Sequence, residues 1–127
     1  MKTLLLMISL LLFPSVGSSF DVVRVPTANL HVTWLEPTLN SDGTPLTDLE
    51  KIVLILKVDG VARGEEEVPA SGLNGGQEGF HTFMNVCEPG TMADVEIDVR
   101  AVDTSGNWST GTIGVLTVDC VPPGPVQ

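Results

Sequence analysis

The sequence predicts an all-β sandwich of about seven antiparallel strands, and three observations carry that prediction. Apolar and polar residues alternate in short runs, as in Leu30-His31-Val32-Thr33-Trp34 and Val95-Glu96-Ile97-Asp98-Val99. That period of two turns one face of a strand inward. Turn signals rich in Gly and Pro recur between the runs, at roughly the eight-to-twelve-residue spacing of short strands. Beyond residue 19 no run keeps the helical period.

The elements follow in chain order. Residues 20–25 (FDVVRV) form a short first strand ended by Pro26. In the second strand Leu30, Val32 and Trp34 face the core and His31 faces solvent, until Pro37 stops it. Asn40-Ser41-Asp42-Gly43 is a turn whose glycine can take a positive φ. Leu46 and Leu49 lead into 52–58, the strongest strand signal in the chain. There Ile52, Leu54, Leu56 and Val58 point inward and Val53 and Ile55 outward. Asp59-Gly60 signals a tight hairpin.

Glu65-Glu66-Glu67 and residues 70–78 read as a polar, flexible connection. Residues 80–86 return as a strand, and 87–91 make a turn. Residues 94–102 follow, with Val95, Ile97, Val99 and Ala101 on the core face and Asp94, Glu96, Asp98 and Arg100 on the other. A turn over 103–107 precedes the last strand at 112–118. Residues 120–127 are a Pro-rich tail, and no internal repeat is present.

Residues 1–19 read as a secretory signal peptide, with Lys2 as the positive region, an apolar run over 4–13 and small residues after Pro14. Such a run is too short to span a bilayer, which needs roughly 20 residues. No Cys follows it at once, so a lipoprotein anchor is not indicated. The expectation is a secreted, extracellular or periplasmic protein without a stable membrane anchor after cleavage. Residues 20–119 then suit one domain. Removal of Lys2 leaves five Lys and Arg against sixteen Asp and Glu, a net charge of −11. A nucleic acid or an anionic membrane would be repelled by that balance. Two cysteines in an exported chain read as one disulfide, with two free thiols or an intermolecular bridge as the alternatives.

Chemistry-bearing patterns are weak. His31 and His81 lie on different strands and no serine sits in a nucleophile elbow, so no triad is expected. Asp94, Glu96 and Asp98 share one flat strand face, whereas glycosidic hydrolysis needs carboxylates facing across a cleft. Two Cys and two distant His lack zinc spacing, and neither a metal nor a cofactor is expected. Asp42 with Asn40, or Asp103 with Asn107, offers oxygen ligands of the kind calcium takes, yet such residues in turns usually bind their own backbone. Asn107-Trp108-Ser109 matches a glycosylation sequon but also forms the turn, which is the reading preferred. Ser71-Gly72-Leu73-Asn74-Gly75-Gly76 has no following Lys and helix, so it is no phosphate loop.

From about residue 29 to 118 the chain resembles a fibronectin type III domain of the bacterial or phage extracellular kind, an immunoglobulin-like sandwich. The residues that carry the resemblance are Leu30, Val32, Trp34 and Pro37, then Asp42-Gly43-Thr44-Pro45-Leu46. Pro89-Gly90-Thr91 and Val99, Ala101, Asp103, Gly106, Asn107 and Ser109 complete it. The family's tyrosine near the start of the sixth strand is here Val95, and the usual leucine before Pro-Gly-Thr is Cys87. Under the topology that the resemblance implies, Cys87 and Cys120 come to the same pole. A Cys87–Cys120 bridge would then replace the missing tyrosine tie.

The resemblance and the weak chemistry together imply a non-catalytic recognition or adhesion module with a protein partner. Asp42, Val53, Ile55 and Trp108 are the candidate contact residues: Val53 and Ile55 face outward beside acids, and Trp108 sits at a loop tip. The alternatives are a subunit that self-associates through edge strands, and an accessory or inhibitor protein of an extracellular enzyme or carbohydrate-side module.

Overall fold

The alternation read from the sequence becomes two facing walls. In the computed structural model, which describes residues 20–25 and 28–126, seven strands form two packed antiparallel sheets. The strands are β1 (Phe20–Val25), β2 (Asn29–Leu35), β3 (Leu49–Val58), β4 (Val61–Pro69), β5 (Glu78–Phe83), β6 (Met92–Asp103) and β7 (Thr112–Asp119). One sheet has the order β1-β2-β5, the other β4-β3-β6-β7. The signal peptide expected over residues 1–19 lies outside the described residues.

Leu30, Val32 and Trp34 from one sheet meet Ile52, Leu54, Leu56, Val95, Ile97 and Val99 from the other, and all nine are buried. Each such side chain contributes roughly 1.5–3 kcal/mol of apolar burial. Two glycines make room for large rings. A Cβ on Gly79, the cross-strand partner of Trp34, would fall within 3.0 Å of the Trp34 indole. Gly114 on β7 leaves the space that the Phe20 ring fills from β1.

Asp59 and Gly60 both take positive φ, 50° and 80°, as a two-residue hairpin turn between β3 and β4 requires. The segment beyond differs from expectation. Glu65, Glu66 and Glu67 are not a loop but the middle of β4, opposite Ile55, Leu54 and Val53. Almost every β4 side chain is exposed, so backbone pairing with β3 holds this strand and side-chain burial contributes little. The stretch after it is also more ordered than its composition suggests. Glu36, 5% exposed, accepts hydrogen bonds from Ser71 N (2.9 Å), Ser71 Oγ (2.5 Å) and Gln77 N (3.2 Å). Leu49 N donates to Leu73 O and Asn74 Nδ2 to Leu46 O, tying the same stretch to the start of β3 and the chain just before it. β5 stops at Phe83, short of residue 86, because Asn85 turns to φ 54°.

Cys87 and Cys120 form an intramolecular disulfide, with Cα atoms 6.4 Å apart. Gly90 N donates to Cys120 O and Cys120 N to Thr91 O, so the backbone closes the same pole beside the bridge.

Candidate functional site

The outer face of the four-stranded sheet is built in rows set by the strand register. Glu65, Ile55, Asp98 and Ile113 form one row across β4, β3, β6 and β7. Ala62, Lys57, Glu96 and Val115 form the next, and Asp94 pairs with Thr117 beyond it. On the other side of the first row, Val53 lies between Glu67 and Arg100.

Val53 corrects an expectation. It does point away from the core, but it is 0% exposed and cannot contact a partner. Its cross-strand neighbours are long, and ion pairs hold them in place. Lys51 Nζ lies 2.9 Å from Glu67 Oε2, and Arg100 binds Asp98 Oδ2 at 3.0 Å. Val53 is thus a buried apolar residue of the outer face, set between two neighbours with long side chains. Ile55 is half-buried and Trp108 half-exposed. Trp108 bridges to Val102, which puts the two on one face and leaves Val102 only 3% exposed. About half of the Trp108 surface, 48%, is open to solvent.

Asp98 differs from the solvated carboxylate its strand position suggests. Its side chain is 13% exposed and flanked by Ile55 and Ile113. Oδ2 takes both Arg100 donors, while Oδ1 makes no hydrogen bond among the described residues and lies against Gly111.

The loop carboxylates are engaged by their own turns. Asp42 Oδ1 accepts from Thr44 Oγ1 at 2.6 Å and Thr44 N at 3.0 Å, and these bonds, led by the hydroxyl, hold its pKa below the ordinary value. Asp103 accepts from Asn107 N (2.8 Å), Asn107 Nδ2 (3.0 Å) and Ser105 N (3.0 Å), with the Asn107 amide first among the causes of its lowered pKa. Asn107, the sequon residue, is therefore the clasp of its turn. The Asp42 loop and the Trp108 loop share one end of the sandwich, joined by Thr104 N to Asp48 O at 2.9 Å. The histidines sit in the other sheet, with His31 Nδ1 3.0 Å from Thr82 Oγ1 and His81 edge-on to Phe83. Among the described residues no three His, Cys, Asp or Glu are grouped to hold a metal ion.

Sequence reasoning placed β7 but not which of its side chains face outward. Ile113 is 51% and Val115 72% exposed, both on the acidic outer face. In TIGVLTV apolar residues occur at both parities, and inward-facing Gly114 has no side chain to mark its face. Only the position of the Phe20 ring over Gly114 assigns the strand's facing.

Together these features define an all-β sandwich with one intramolecular disulfide and an outer face where apolar side chains stand among acids. Among the described residues no helix is long and apolar enough to cross a membrane. No protein-family model matches the chain, and no curated protein matches its sequence.

Proposed function

We propose that the chain is a fibronectin type III-like module of an exported protein that acts by binding a protein partner and not by catalysis. The observation that carries this reading is the exposed apolar pair Ile113 and Val115 next to Asp98 and Glu96, on the outer face that also holds Ile55 across β6 and Trp108 at its loop end. Apolar and aromatic side chains within a charged rim are the composition of recognition surfaces. The division into β1-β2-β5 and β4-β3-β6-β7, with hairpins joining β3 to β4 and β6 to β7, supports the family resemblance. The disulfide suits an oxidising compartment and so supports export.

The non-catalytic part rests on how the polar groups are used. The carboxylates best placed for ligands, Asp42 and Asp103, are consumed by turn hydrogen bonds, and the histidines lie in the sheet opposite the proposed face. The test is cross-linked capture of an extracellular partner by the immobilised chain. Trp108→Ala and Ile55→Glu should each abolish capture while melting stays cooperative. Capture undiminished in both variants would remove this face from the function.

A further inference from the structure

Four strands lie at sheet edges, and three of them carry protection against further pairing. β4 has Arg63, Glu65, Glu66 and Glu67, a register shift against β3, and a terminal Pro69. β1 and β5 have six residues each, with Asp21 in one and Glu78 in the other. β7 is longer than either and keeps only one of these devices, a charge at its last residue. Its eight residues carry no charge before Asp119 and no proline, and its register with β6 runs unbroken from Met92↔Asp119 to Val99↔Thr112. Long, uncharged, regular edges template the addition of another strand, which is why monomeric proteins normally blunt them.

We infer that β7 is a docking edge for an extended, basic segment of a partner protein, which adds to the four-stranded sheet as a further strand. The inference rests on the recognition reading above and names the partner's chemistry. Backbone bonding to β7 supplies the framework, and alternate side chains supply the choice of partner. On the outer face the added strand lies against Ile113 and Val115. One strand further in, Asp94, Glu96 and Asp98 form a column of carboxylates beside Thr117, Val115 and Ile113. With strands about 4.8 Å apart, a Lys or Arg on the added strand reaches over Val115 toward Glu96. Glu96 is held only by a long, 3.9 Å ion pair with Lys57, and its side chain is 39% exposed and within reach of a second cation. On the inner side, a cleft of about 130 Å³ lined by Phe20, Trp34, Ile52, Val99 and Thr112 lies where β7 begins. It has room for one apolar side chain of the incoming segment. A second copy of this chain fits less well, because self-pairing brings together two molecules of net charge −10 with their carboxylate columns on the same sheet.

Amide exchange of the purified chain tests this with two synthetic peptides. One alternates valine with lysine and threonine, and the other has glutamate in place of lysine. The basic peptide should slow exchange at alternate β7 amides, and its affinity should fall as salt rises. Ile113→Lys with Val115→Lys, both at exposed positions, should weaken it by about tenfold or more with the melting temperature unchanged. Equal binding of the acidic peptide, or protection on β4 instead of β7, would overturn the inference. Protection of β7 without peptide, appearing with a concentration-dependent dimer, would make a second copy the occupant and overturn it too. A peptide held by Ile55 and Trp108 while β7 amides exchange freely would sink strand addition and leave the recognition reading standing.

Discussion

The indole of Trp34 covers the bare backbone of Gly79 on the neighbouring strand. A tryptophan of that size stays 4% exposed in a thin sandwich only because its cross-strand partner has no side chain. Gly79→Ala should therefore destabilise the fold by about 1–3 kcal/mol, the usual cost of overpacking. Urea unfolding of a Trp108→Phe background, followed by the fluorescence of the remaining Trp34, measures it. A neutral effect would mean that the ring can shift aside.

Glu36 should behave as a structural carboxylate despite its charge. Three donors from Ser71 and Gln77 converge on it in a nearly closed site. Glu36→Ala strands those donors, and the expected loss is about 1–3 kcal/mol. Amide exchange should accelerate first at Ser71 and Gln77, ahead of the strands.

The bridge has a calculable worth. Cys87 and Cys120 are 33 residues apart, and opening a ring of that size should cost roughly 3–4 kcal/mol in the loop-entropy account. Cys120→Ser should lower the melting temperature accordingly. Reduction of the wild type should reproduce the loss.

Two carboxylates should titrate late as the protein is acidified. The pKa values of Asp42 and Asp103 are depressed below 3.8 by their turn hydrogen bonds. Each therefore stabilises its turn above the unfolded value, and that contribution fades as pH falls through the lower folded value. Carboxyl NMR titration should find both still ionised where ordinary aspartates are half protonated. Asp103→Asn should loosen residues 104–107 without moving the Asp42 resonance.

Val53 and Ile113 face the same side of one sheet yet should respond oppositely. Val53→Asp places a charge where nothing is exposed and should destabilise by several kcal/mol. Ile113→Asp, at a half-exposed site, should stay within about 0.5 kcal/mol. Paired denaturation curves decide it.

The sandwich itself was legible because strands buried on one face write their period into the chain. Leu30-Val32-Trp34 and Val95-Ile97-Val99 declare their facing without any partner known. Asp59-Gly60 was legible for a local reason, since few residues accept its two positive φ values. What failed depended on neighbours. β4 exists by pairing to β3, so its glutamates mimic a loop. Val53 lies between Glu67 and Arg100, which only the register brings beside it. The face proposed for binding was half legible: the sequence singled out Ile55 and Trp108 but not the exposed Ile113 and Val115.

The disulfide also decides how a load would travel through the molecule. Cys120 follows β7 and Cys87 precedes β6, so both strands lie inside a covalent ring. A pull on the tail from Val121 onward bypasses the β6–β7 hairpin and arrives at Cys87. The final strand cannot be peeled away from its free end. Tension is passed instead to the link between β5 and β6, and the edge at β7 keeps its alignment under strain.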